Sequence, residues 1–408
     1  MKTWIKLLIG SVLGIIIGFI VPHDNMDLLG NLAWLGEFAI RIGRYVLVPV
    51  MVFSLTIAIH ELRQDSKFFG LFIKTLPVIV LVSAFVITVG MISVVLFPPG
   101  RIPILNMEQA EAITLNTAGN IMEIFPSNMF AAIFNDGVFL LPLCVFAFFM
   151  GLGFSYDRNH IKPVVTLFDS LSRIFFHIAG FFSEFLGLLM IVLGAYWAVR
   201  YNGILKAEIF RDLVVLLGVL SILLGLVILP LFLYLIKPKI NPWRVVYGSI
   251  SQGMAAFFSG DINFTLPVIF RSMKENLGIR RRANMVTVTM FALFCRAGSA
   301  MVASISIIVI INSYSSLDIS TGSIFMIGFM SLLFSFLLSA HPGNGAYTVL
   351  AVLCLNYGQG FEAGYLILKP LAFYLIAIGT FIDVMICSYA SYAVSVSSGF
   401  HDEKERLV

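Results

Sequence analysis

Apolar residues run along this chain in long blocks rather than in alternating faces. The blocks fall at about 4–22, 33–60, 71–97, 125–155, 164–199, 211–236, 245–270, 283–312, 323–357 and 364–398. A helix needs ~20 apolar residues to cross a bilayer, so the pattern predicts an all-α polytopic membrane protein. Several blocks are long enough to tilt or to project beyond the membrane. Two blocks break in the middle. Block 245–270 contains "FFSGDINFTLP", which puts Gly260, Asp261, Asn263 and Pro267 at membrane depth, and block 323–357 contains "SAHPGNGA", with Pro342, Gly343 and Gly345. Neither proline nor glycine suits a helix interior. Irregular backbone at that depth is tolerated only where it is buried in protein or lines a watery cavity.

Loop charges set the orientation. Lys2 and Lys6, then Arg63, Lys67 and Lys74, then Arg158 and Lys162, fall on every second connection and mark the cytoplasmic side. The loop at 98–124, with Glu108, Glu111 and Glu123 against Arg101, is then outside, and six crossings return "LYLIKPKINPWR" to the cytoplasm. If block 245–270 also crossed, Arg271, Lys274, Arg280, Arg281 and Arg282 would lie outside, against the rule. Both broken blocks are therefore read as re-entrant hairpins entering from opposite sides, each followed by a long helix. The count becomes eight transmembrane helices plus two hairpins in an inverted repeat, with both termini cytoplasmic. Such repeats point to a transport site near the midplane.

Composition agrees: 59% of the 408 residues are hydrophobic and 12% charged, with mean hydropathy +0.98, where a soluble domain carries roughly 25% charged residues. The net charge of +4 lies in short loops that the positive-inside rule explains, so no nucleic-acid partner is implied. The N-terminus has two lysines ahead of its apolar run, but that run is long and no A-x-A site follows, which predicts a retained first span rather than a signal peptide. Cys144, Cys295, Cys354 and Cys387 sit inside apolar blocks and offer neither a disulfide framework nor a metal-ligand spacing. No cofactor and no metal site is expected.

Three ionisable residues stand at membrane depth: Asp261 in the first hairpin, Arg296 in the following helix and Asp383 in the last. His341 sits at the second hairpin's break. A guanidinium stays charged at any accessible pH, and a charge at the centre of a spanning helix costs at least ~2.5–3.5 kcal/mol. The plain reading is an ion pair of Arg296 with Asp383 or Asp261 that fixes packing; the functional one is a substrate or ion site. Glu37, Arg41 and Arg44 lie near one end of the second block and are expected to snorkel, as is Lys369. Two aspartates could suggest an intramembrane protease, but Asp261 follows "FSG" instead of Gly-x-Gly, and no Ser/His pair or phosphate-cradling loop appears. An enzyme is not expected.

The chain resembles the dicarboxylate/amino acid:cation symporters, the glutamate-transporter homologues, over nearly its whole length. "IGRYVLVPVMVFSLTIAI" is similar to that family's second span and "FPSNMFAAIFNDGVFLLPLCVFAFFMGLGF" to its fourth. "TLPVIFRSMKENLGI" follows the first hairpin as the family's Thr-Leu-Pro segment does, and "SAHPGNGAYTVLAVL" resembles the Pro-Gly-x-Gly-Ala tip of the second. The resemblance implies a homotrimer in a prokaryotic inner membrane. It also implies a scaffold of spans 1, 2, 4 and 5 (residues 1–70 and 98–210) and a transport unit of span 3 (71–97) with residues 211–408, which slides through the membrane as an elevator.

The departures concern the site. Where the family's span 7 carries Asn-Met-Asp-Gly-Thr, this chain reads Cys295, Arg296, Ala297, Gly298, Ser299. Asp383 matches the aspartate that binds a substrate amino group. The positions that would hold the side-chain-clamping arginine and the rest of the sodium site are Ile386, Cys387, Ala390 and Val394. The span-3 Thr-Ser pair reads Val82-Ser83, and the serine-rich first tip reads "GDIN". Residues carried over as substrate contacts are Asp261, Ile262, Asn263, Arg296, Ser299, His341, Gly343, Gly345, Asp383 and Cys387; Asp261, Arg296, His341 and Asp383 are also candidates for ion or proton coupling. Arg296 either stands in permanently for a bound cation, with Asp383 and Asp261 as partners, or grips a substrate carboxylate bidentately. Both predict that three-sodium coupling is lost or reduced, leaving proton coupling or facilitated exchange; the candidate coupling ions are Na+ and H+. The expected substrate is glutamate, aspartate, a dicarboxylate or a neutral amino acid. A channel or ligand sensor on a transporter scaffold is the alternative.

Overall fold

The computed structural model describes residues 3–21, 26–103, 117–134, 138–156, 158–205, 208–236, 241–314, 319–340, 345–358 and 360–401. Among these the regular elements are all helices, with one isolated bridge pairing Ile279 and His401. The elements are α1 (Thr3–Ile20), α2 (Met26–Arg44), α3 (Leu47–Val50), α4 (Thr56–Gln64), α5 (Phe68–Leu96), α6 (Thr117–Met122), α7 (Leu141–Gly153), α8 (Arg158–Leu205) and α9 (Arg211–Leu223). They continue with α10 (Leu229–Ile236), α11 (Pro242–Ser259), α12 (Ile262–Glu275), α13 (Arg281–Phe294), α14 (Ala297–Tyr314), α15 (Thr321–Leu337), α16 (Gly345–Tyr357) and α17 (Ala372–Ser397). Wider π turns at Met51–Leu55 and Leu224–Ile228 join α3 to α4 and α9 to α10. Among the described residues six helical stretches are long and apolar enough to cross a membrane.

Two expected spans differ in extent. Block 125–155 forms a helix only over Leu141–Gly153, because Pro126, Ser127 and Asn128 break its first part into a short 3-10 turn at Met129–Ala132. Block 283–312 is two helices, interrupted at Cys295 and Arg296.

The first hairpin is specified locally. Asn241 caps α11 by accepting from Trp243 N at 3.0 Å, with Pro242 in the first turn, where its missing N–H is harmless. Gly260 ends α11 at φ +62, a left-handed conformation that glycine adopts without a side-chain penalty. Asp261 then starts α12, its Oδ1 accepting from Asn263 N at 2.8 Å. The two arms are joined at depth by Gln252, which is fully buried. Its Nε2 donates to Gly248 O and to Ser272 Oγ, both at 3.0 Å, and its Oε1 accepts from Ser388 Oγ of α17 at 2.5 Å. The second hairpin's arms, α15 and α16, also pack together; its tip, with His341 and Gly343, lies outside the described residues.

Helix α14 is apolar all round and nearly fully buried from Ala297 to Ile311, at the centre of the main core against α5, α16 and α17. A separate contact sets α1 on α8. Gly10, Gly14 and Gly18 face α8 so closely that a methyl group on Gly10 or Gly14 would overlap the carbonyl oxygens of Gly187 and Ile191. This is small-residue packing of the kind that lets membrane helices approach.

Candidate functional site

Three segments converge on the middle of α17. The break between α13 and α14 brings Gly298 against it: a Cβ there would lie 2.6 Å from Ile382 Cβ and 2.7 Å from Gly379 O. The start of α16 packs beside both, since a Cβ on Gly345 would lie 3.0 Å from Ser299 Oγ, and one on Gly379 3.0 Å from Ala346 Cβ. The first hairpin's tip reaches the same turn, where Thr380 Oγ1 donates to Gly260 O at 3.2 Å. Only small residues allow three backbones to meet there, so Gly298, Gly345 and Gly379 build the site as much as any charged group does.

Asp383 is fully buried at this junction, and its carboxylate caps α14. Oδ1 accepts from Gly298 N at 2.7 Å and Ser299 N at 3.2 Å, and Oδ2 accepts from Ser299 Oγ at 2.6 Å. The first N–H groups of a helix have no partner within it and carry the positive end of its dipole, so a carboxylate reaching in from α17 satisfies both needs.

Arg296 is half-buried in the non-helical break, close enough for its charge to act on Asp383 and Cys387. Among the described residues its guanidinium has no hydrogen bond or ion pair. Asp261 does not reach it either: both Nε and a terminal nitrogen of Arg44 pair with Asp261 Oδ2. The expectation that Arg44 snorkels is thus corrected. Arg44 ends α2 where the second span turns inward, and the side chain points to the first hairpin's tip, not to an interface. Asp261 as a partner of Arg296 is corrected by the same contact.

The other carried-over residues divide. Ser299 and Gly345 meet at the junction. Asn263 bonds outward, its Nδ2 donating to Val138 O at 2.9 Å, and Ile262 is buried in the core. Cys387 is buried facing α13, its thiol 3.6 Å from Val288 O. Ser83 of α5 lies 3.5 Å from the Cys295 thiol, so α5 touches the break between α13 and α14. Among the described residues no three His, Cys, Asp or Glu side chains converge on a metal-sized space. Sequence reasoning missed Arg44, Thr380 and Gly379; the one signal available was the "GR" pair, Gly43-Arg44, in an otherwise apolar stretch.

A multi-helix membrane protein with a broken helix and a hairpin tip meeting at buried charges has the build of a transporter. The sequence profile of the sodium:dicarboxylate symporter family matches residues 3–397, and the chain belongs to that family. It is 22% identical over 409 residues to excitatory amino acid transporter 1 of Ambystoma tigrinum, covering 85% of this chain and 74% of that protein. It is 23% identical to the proton/sodium-glutamate symport protein of Bacillus caldotenax over 44% of this chain and 45% of that protein. Excitatory amino acid transporter 1 of Rattus norvegicus is 24% identical over 53% of this chain, which spans 40% of that relative. The last two matches thus cover less than half of the relatives' length.

Proposed function

We propose that this protein is a secondary transporter for a small carboxylate, a dicarboxylate or an acidic amino acid, and that Arg296 grips the substrate's carboxylate. The observation that carries the reading is the division of labour among the deep charges. Asp383 is spent on the N-terminus of α14 and Asp261 on Arg44, leaving the Arg296 guanidinium without a protein partner among the described residues. A permanently charged group at depth needs an anion, and guanidinium suits a carboxylate. The same division speaks against Arg296 as a stand-in cation: Asp261 is held by Arg44, and the Asp383 carboxylate, though close to Arg296, is taken up by the α14 N-terminus. A fixed positive charge next to Asp383, with Val82, Cys295 and Ala297 in former sodium positions, leaves sodium coupling reduced and protons as the alternative.

The reading includes a homotrimer and an elevator movement of residues 71–97 and 211–408 against 1–70 and 98–210. Such a movement would have to break the ion pairs that cross this boundary: Arg271 with Glu184 at 3.0 Å, Arg281 with Asp169 at 2.7 Å and Arg282 with Asp65 at 2.5 Å. The test is thermal stabilisation of purified protein by succinate, malate, aspartate, glutamate and alanine, in sodium and in choline, at two pH values. Stabilisation by a carboxylate, equal in sodium and choline and lost in Arg296→Gln, is the expected result. A carboxylate that stabilises Arg296→Gln as well as the parent overturns the clamp.

A further inference from the structure

Arg44 belongs to the second span, outside the junction at α17, yet it holds a residue of the hairpin tip that forms the junction. Its charge and that of Asp261 are mostly withdrawn from solvent, with 22% and 12% of the side-chain surface exposed. Asp261 serves two partners at once: Oδ1 starts α12 through Asn263 N, while Oδ2 takes Arg44. The neighbouring residue adds a second contact. Phe264 is fully buried, and its ring lies over Gly43 so closely that a methyl group there would overlap Phe264 Cδ2 and Cε2. The tip is therefore docked on the second span by one charge pair and one ring.

The surroundings make this docking reversible. A cavity of about 470 Å³ opens beside Arg44, lined also by Glu37, Arg41, Tyr45 and Val138. Glu37, two turns before Arg44, bonds Arg41 at 2.8 Å. Once parted from Asp261, Arg44 would face this open cavity of mixed polar and apolar lining instead of hydrocarbon, and Asp261 would keep its bond to Asn263 N. Neither charge would be stranded, which is the condition that makes breaking a buried pair so unfavourable.

We infer that Gly43 and Arg44 form a latch that positions the first hairpin's tip, and that parting of Asp261 from Arg44 is a step of the transport cycle. This rests on the transporter reading above. Arg44 acts through Asp261 and is a positioning residue, distinct from the proposed clamp at Arg296.

The test joins the two sides covalently. In an Arg44→Cys/Asp261→Cys chain, a short bis-methanethiosulfonate reagent links the thiols; the four native cysteines are buried, and the parent chain controls for them. Cross-linking is expected to stop carboxylate uptake into proteoliposomes, and reductant to restore it. Uptake undiminished in fully cross-linked protein overturns the latch. A second arm reads the tip without transport. Modification of Asn263→Cys by a methanethiosulfonate should become roughly tenfold faster when Arg44→Gln or Gly43→Ala is added, the latter leaving both charges in place. An unchanged rate in both variants also overturns it. If the parent chain itself carries no carboxylate into proteoliposomes, the transporter reading fails, and the second arm still decides the latch.

Discussion

Replacing Asp383 by alanine removes three hydrogen bonds from one buried carboxylate, and the geometry fixes what remains. Gly298 N and Ser299 N, at 2.7 and 3.2 Å from Oδ1, lose their acceptor inside the protein, while Ser299 Oγ at 2.6 Å from Oδ2 can turn to another. A buried donor left unsatisfied costs ~1–3 kcal/mol, and the lost charge at a helix N-terminus roughly 0.3–2 kcal/mol more. The sum for Asp383→Ala is on the order of 4 kcal/mol. Asparagine keeps an oxygen for the two N–H groups and loses mainly the charge, so Asp383→Asn should cost about 1–2 kcal/mol. The assay is thermal unfolding of the ligand-free protein in detergent, where the order of stability should be parent, then asparagine, then alanine. Ser299→Ala, which removes one bond to a charged group, should cost ~1.5–3 kcal/mol. If ligand-free Asp383→Ala unfolds at the parent's temperature but no longer binds substrate, the carboxylate serves the ligand and the capping argument is wrong.

Two further outcomes follow from packing. Gly14→Leu places a side chain into the backbone of α8 where even a methyl group overlaps Ile191 O; it should destabilise by roughly 1–3 kcal/mol or more, seen as a lower unfolding temperature, whereas leucine at Gly30, which has open space around its Cβ position, should leave it unchanged. Gln252→Ala removes the centre of the bonds joining α11, α12 and α17. In a double-mutant cycle with Ser388→Ala the two losses should fall short of additive by ~0.5–3 kcal/mol, and strict additivity would mean the 2.5 Å bond is not formed.

Much of the architecture was legible because it follows from the length and placement of apolar blocks. "FFSGDINFTLP" announced a helix stop and restart, and the structure puts the stop at Gly260 and the restart at Asp261. The break at Cys295-Arg296 was not legible: "FALFCRAGSAM" contains no proline and reads as continuous helix. What ends α13 there is tertiary, because Asp383, nearly ninety residues later, supplies the cap for a new helix at Ala297. Arg44 was misread for a related reason. Position within an apolar block locates a charge near a span's end, but only the folded chain shows that this end lies in the interior, under the hairpin tip. The glycines of α1 were visible as letters, yet their meaning depends on α8 lying against them.

The deep charges also explain one another. A site with a single arginine and two aspartates at membrane depth looks, by count, as though it should neutralise itself. The fold prevents this by giving each aspartate a different obligation: Asp383 to two backbone N–H groups and a hydroxyl, Asp261 to a backbone N–H and to Arg44. Because Arg44 comes from outside the junction, the local balance at Arg296 remains unmet by the described protein groups. A transporter that used Asp383 as a direct ligand group would have to uncap α14 at each cycle, giving up three hydrogen bonds in a fully buried place. One that uses Arg296 gives up nothing it has already made. On that comparison the clamp proposed at Arg296 asks less of the fold than ligation by Asp383 would, because the aspartates can go on holding the helix and the hairpin tip.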